Sequence, residues 1–189
     1  MLAAEAARIM ATEGQRNFRL AKQKAAQRIG VSSRQALPSN REVEEALRAY
    51  QDFFGGHQHT HHLSALRAAA VDAMRGLAGF QPRLVGPVLD GTADRYSRIS
   101  LHVFSDTPEA ISIYLLDRGI PFRQEQRRIR WHDRTFRNLP LLVLERDDAT
   151  IELAVFGVLD LRQAPPCPVD GRPQRRAPLA EVEALLAGY

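Results

Sequence analysis

The sequence predicts an α+β (α/β-like) protein: an N-terminal helical segment, then a domain with a small mixed β-sheet flanked by helices. Three observations carry this. Residues 3–29 are rich in Ala, Arg, Lys and Gln, all good helix formers. Leu63, Leu66, Ala70, Met74 and Leu77 recur at helical spacing and make one apolar face. Beyond residue 82 the period changes, with Leu101 and Val103 alternating against Ser100 and His102.

The elements follow in order. Gly14 bends or splits the first helical segment, and Gly30 stops it. Ser39 and Glu42 have capping-box spacing, so a helix runs from Arg41 to Phe54 and ends at Gly55-Gly56. A third helix spans 59–77. Strands are expected at 83–89 and 99–104. Thr107 caps and Pro108 opens a short helix that Gly119 stops. Strands at 122–131, 139–145 and 150–156 follow, the last two joined by the turn Arg146-Asp147-Asp148-Ala149. A Pro- and Gly-rich loop at 163–178 leads to a terminal helix at 178–186. The division expected is a helical extension at 1–56 and a mixed domain at 57–189.

Composition narrows the function classes. The 189 residues are 44% hydrophobic, enough to bury a core. No run of 18 apolar residues occurs, so no membrane span is expected. Glu5 and Arg8 interrupt what a secretory signal would need as its apolar region. The one cysteine, Cys167, has no internal disulfide partner, which points to a reduced, cytoplasmic setting. The net charge of +4 lies wholly in the N-terminal part: residues 1–81 hold 11 Lys/Arg against 7 Asp/Glu, and the remainder 15 of each.

One stretch carries chemistry. Residues 84–103, LVGPVLDGTADRYSRISLHV, pair two glycines with a polar turn and an apolar strand. Their spacing resembles the signature of minimal nucleotidyltransferases. Gly86 and Gly91 fall on that pattern's glycines and Ser97 on its serine. In that family the glycines let backbone approach a triphosphate. Two aspartates on a strand and a third carboxylate hold Mg²⁺. Here Pro87 stands at a family serine, and Arg98 and Ser100 stand at the two aspartates. Glu152 is the candidate remnant of the third carboxylate. The resemblance therefore implies the scaffold without the reaction: a non-catalytic nucleotidyltransferase-like protein of binding or regulatory role, with no cofactor and no Mg-nucleotide. The segments LAKQKAAQRIGV and ALPSNREVEEAL resemble a group of proteobacterial proteins, a likeness that supplies no activity.

Other constellations set alternatives. Arg16, Arg19, Lys22, Lys24, Arg28 and Arg34 form a basic run opposed only by Glu13. Arg123, Arg127, Arg128, Arg130, Arg134 and Arg137 interleave with Phe122, Trp131 and Phe136, a pattern able to grip a phosphate backbone and stack bases. The plain alternative is an edge strand blunted by charge. His57, His59, His61 and His62 are weak metal candidates, since no Cys, Asp or Glu joins them closely. Asp90, Asp94, Asp106 and Glu152 are the carboxylates that could support transfer from displaced positions. The partner classes that follow are a protein, a nucleic acid or an anionic small ligand, and no membrane.

Overall fold

The computed structural model describes residues 1–31 and 37–188. The chain is α+β and divides into two compact units. None of the described helices is long and apolar enough to cross a membrane.

The first unit comprises Met1–Leu63, Gly91–Tyr96 and Pro168–Asp170. Helix α1 (Leu2–Glu13) ends at Gly14, whose φ of 68° is left-handed. A Cβ at Gly14 would sit 2.8 Å from the Tyr96 ring, so the turn demands glycine twice over. Asn17 caps α2 (Phe18–Ile29) by accepting from the Leu20 amide at 3.2 Å, and Gly30 closes it. The alanine-rich sequence lets these helices bury Ala6, Ala7, Ile9, Met10, Ala21 and Ala25 with Val43 and Leu47 in one cluster. The break read at residues 31–38 falls largely outside the described residues, as does Arg34.

The capping box forms as its spacing requires. Ser39 N donates to Glu42 Oε2 at 2.7 Å, and Glu42 N to Ser39 Oγ at 3.2 Å. Helix α3 (Asn40–Gly76) then runs through both predicted helices. Its single irregularity is Gly56 (φ 42°, ψ −133°), a kink rather than a loop. The histidine-rich segment is therefore helical.

The second unit comprises Ser64–Asp90, Ser97–Cys167 and Gly171–Tyr189. It holds β1 (Arg83–Val85), α4 (Pro87–Asp90), β2 (Ile99–Phe104), α5 (Glu109–Asp117), β3 (Arg123–Arg130), β4 (Phe136–Arg146), β5 (Ala149–Phe156) and α6 (Leu179–Ala187). The sheet order is β1-β2-β5-β4-β3, and only β2 and β5 pair in parallel. Two predicted elements need correction. The strand expected at 83–89 stops at Val85, because Gly86 turns left-handed at φ 73° and Pro87 cannot donate to a ladder. Strand β4 starts at Phe136 instead of Leu139, because Arg130 pairs with Phe136 and prolongs the β3–β4 hairpin beyond the apolar run.

Alternation gives the sheet two faces. Ile99, Leu101, Val103, Leu142, Leu144, Ile151, Leu153 and Val155 share one, all buried. Each such side chain contributes about 1.5–3 kcal/mol of burial. The opposite face carries Ser100, His102, Phe104, Glu152, Ala154 and Phe156. It is there that polar groups enter the interior.

Candidate functional site

The site is built by strand register. Ser100 on β2 lies directly beside Glu152 on β5. The Ser100 hydroxyl donates to Glu152 Oε1 at 2.7 Å. Arg127 from β3 reaches the same carboxylate with both terminal nitrogens, at 3.0 Å each, in a bidentate pair. Arg98, just before β2, places Nη1 3.4 Å from Glu152 Oε2 and 3.3 Å from Glu125 Oε2. Arg123 extends the chain of charges to Glu125 and Glu145, both at 3.3 Å.

Glu152 is 2% exposed. Burial alone would raise its pKa. Hydrogen bonds and charge from Arg127, the Ser100 hydroxyl and the charge of Arg98 outweigh burial and hold the carboxyl below its usual range. Arg98 shows the reciprocal effect: burial opposes its charge, and the hydrogen bond and charge of Glu125, with Glu152, hold its pKa above the ordinary guanidinium value. This donor set does not suit a divalent cation. Both Glu152 oxygens already accept from cations or a hydroxyl, and a guanidinium occupies the approach a dication would take.

The glycine turn is held from behind. Arg67, 3% exposed, donates to the carbonyls of Val88 and Leu89 at 2.9 Å each. Asp90 N closes the turn onto Gly86 O at 2.9 Å. A Cβ on Gly86 would come within 3.9 Å of Ser100, so the turn passes next to the site. Gly91, also left-handed at φ 85°, belongs to the first unit, where its carbonyl pairs with His59 Nε2 at 3.1 Å. Ser97 is half-buried and leads into Arg98.

Next along β2 the same sheet face buries His102 at 6% exposure. Its Nδ1 accepts from Arg176 Nε at 2.9 Å, and its ring lies 4.5 Å from that of Phe156. Burial, then the charges of Arg176 and Arg127, push its pKa down to about 3, so the imidazole is neutral. Arg176 also donates to Asp160 O at 2.6 Å and lies over Phe104 and Phe156. Burial lowers its pKa to about 10.

The remaining candidates are distributed as follows. Lys24 and Arg28 pair with Glu13, and Lys22 donates to Pro38 O and Asn40 Oδ1. Arg16 and Arg19 are exposed. His59 and His62 hold the backbone carbonyls of Gly91 and Asp94 at 3.1 Å, while His57 and His61 face outward. Asp94 Oδ1 accepts from the Tyr96 amide, and Asp106 is exposed. Among the described residues no group of three or more His, Cys, Asp or Glu side chains is placed to hold a metal ion. On the hairpin Arg127 is committed to Glu152, Arg128 and Arg130 are exposed, and Trp131 is 7% exposed beneath the Arg137 guanidinium.

Four contributors escaped sequence reading: Arg67, His102, Arg176 and Glu125. Arg67 offered a signal, a lone cation on an otherwise apolar helix face three residues from Ala70. No family model, curated protein or solved structure matches the chain.

Proposed function

We propose that the second unit is a nucleotidyltransferase-like domain converted from catalysis to binding, and that its ligand is an anion taken without Mg²⁺. The observation that carries this reading is the Glu152 carboxylate, bound bidentately by Arg127 with Arg98 and Ser100 at its other contacts. By the motif resemblance, Arg98 and Ser100 stand at the positions of that family's metal-binding aspartates. The order helix, β1, glycine turn, β2, α5, β3, β4, β5 and the adjacency of positions 100 and 152 support the scaffold assignment.

The chemistry is charge substitution. A fixed guanidinium supplies positive charge where a metal would have done so. Glu125 is the more exposed of the two carboxylates on Arg98, so its pairing is weak and exchangeable. An anionic ligand takes its place on Arg98 while Arg127 keeps Glu152 neutralised.

Calorimetry with a nucleotide panel tests the reading. Binding is expected to be equal in Mg²⁺ and in EDTA, and Arg98→Asp is expected to weaken it at least about tenfold, or ~1.4 kcal/mol. Binding that requires Mg²⁺ would overturn the proposal. No binding at about millimolar nucleotide would make the domain an interaction scaffold instead.

A further inference from the structure

The outer face of the β3–β4 hairpin presents charge and aromatic surface that the Glu152 cluster does not use. Arg128 and Arg130 project from the same side of β3, two residues and about 6.7 Å apart. Their partners in register are Asn138 and Phe136 on β4. Phe136 is 56% exposed, and the Arg128 guanidinium lies 4.0 Å from its ring centroid. Arg134, at the hairpin tip, is also exposed. None of these three arginines has a carboxylate partner among the described residues.

The surroundings make this surface rigid and positive. Trp131 N donates to Thr135 O at 2.8 Å, and Arg134 N to Trp131 O at 3.0 Å. The tip's carboxylate, Asp133, is occupied by the Thr135 amide and hydroxyl at 3.0 and 2.6 Å. Beneath, Ile129, Trp131 and Leu139 pack with Phe104, Leu141, Ala154 and Phe156. Toward its tip the hairpin is thus packed on one side and leaves Arg128, Arg130, Phe136 and Asn138 exposed on the other.

We infer that this face docks single-stranded nucleic acid: Arg128, Arg130 and Arg134 track the phosphates while Phe136, extended by the Arg128 plane, stacks a base. Charge alone would suit an acidic peptide equally. The exposed ring with a guanidinium laid on it decides for nucleic acid, because a peptide carboxylate makes no use of an aromatic platform. A single strand is chosen over a duplex because only unpaired bases offer their faces. This inference stands apart from the reading of the Glu152 cluster.

The test is fluorescence anisotropy of the full chain with a labelled short oligouridylate, the matching duplex and polyglutamate as competitor. The single strand is expected to bind with a log–log salt slope of about −2 between about 50 and 200 mM salt, the value for three phosphate contacts. Arg128→Gln with Arg130→Gln should weaken it at least roughly tenfold, and Phe136→Leu roughly fivefold or more. The charge-matched Arg146→Gln with Arg162→Gln should change it less than twofold. All these side chains are exposed, and an unchanged circular dichroism melt confirms folding in each variant. Absent binding, indifference to Phe136→Leu, equal loss in the charge-matched control or preference for the duplex overturns the inference. Polyglutamate displacing the oligonucleotide at equal charge concentration also overturns it, in favour of an acidic protein partner.

Discussion

Glu152→Ala is expected to destabilise the protein by about 3 kcal/mol, and Glu152→Gln by about 2. Removing one member of a buried ion pair leaves the others uncompensated. In Glu152→Ala the Ser100 hydroxyl loses its acceptor, and in both variants Arg98 keeps only Glu125 as a charged partner. The loss stays near the low end because the Arg127 side chain is 45% exposed and can turn to water. The sign separates two kinds of site. A carboxylate poised for a metal repels its neighbours when no metal is bound, and its removal is then neutral or stabilising. A carboxylate already satisfied by guanidinium groups is structural, and its removal costs stability. Urea unfolding of wild type, Glu152→Gln, Arg127→Met and the double variant measures the pair directly. The cycle should return a coupling of about 1–3 kcal/mol; a coupling near zero would show that the carboxylate and Arg127 do not support one another.

Acid should unfold the protein earlier than its carboxylates alone require, through His102. The sign follows from its depressed pKa. Between about 3 in the folded chain and the ordinary value of 6.5 in the unfolded one, the unfolded state holds a proton that the native state lacks. Stability therefore falls as pH drops below 6.5, by up to ~1.4 kcal/mol per pH unit. Glu152, Glu125, Glu5 and Glu13 have lowered pKa values and contribute in the same direction, but only below about 4.5. The window between pH 4.5 and 6.5 isolates His102 from them. Unfolding free energies at pH 7 and pH 5 should differ by about 2 kcal/mol in wild type, and nearly all of that difference should vanish in His102→Asn. Asparagine suits the comparison because its carbonyl can replace Nδ1 as acceptor for Arg176 Nε. An unchanged difference in the variant would place the acid sensitivity elsewhere.

The α+β class and the order of its elements were legible because they follow local rules. Gly14, Gly30, the Ser39–Glu42 box and the period-two run at 99–104 each act over a few residues. The stretch singled out at 84–103 is also where polar groups enter the sheet: Arg98 and Ser100 both contact Glu152, and Gly86 turns beside Ser100. What the sequence concealed was the partner across the sheet. Arg127 is separated from Glu152 by 25 positions and by strand β4, and only register brings the two together. For the same reason the basic hairpin read as one patch. Pleating divides it, sending Arg127 inward to Glu152 and leaving Arg128 and Arg130 outside. Trp131 and Phe136, both expected among the base-stacking aromatics, divide for a similar cause, since cluster packing buries the first and not the second. The helix kink at Gly56 illustrates a different limit: paired glycines signal a break but not its length.

We propose that guanidinium groups stand where a metal would sit at Glu152. Titrating Mn²⁺ into the full chain, followed by electron paramagnetic resonance, tests it most directly. The free-ion signal at about millimolar Mn²⁺ is expected to be the same for wild type and Glu152→Gln. Stoichiometric loss of that signal in wild type, restored by Glu152→Gln, would contradict it.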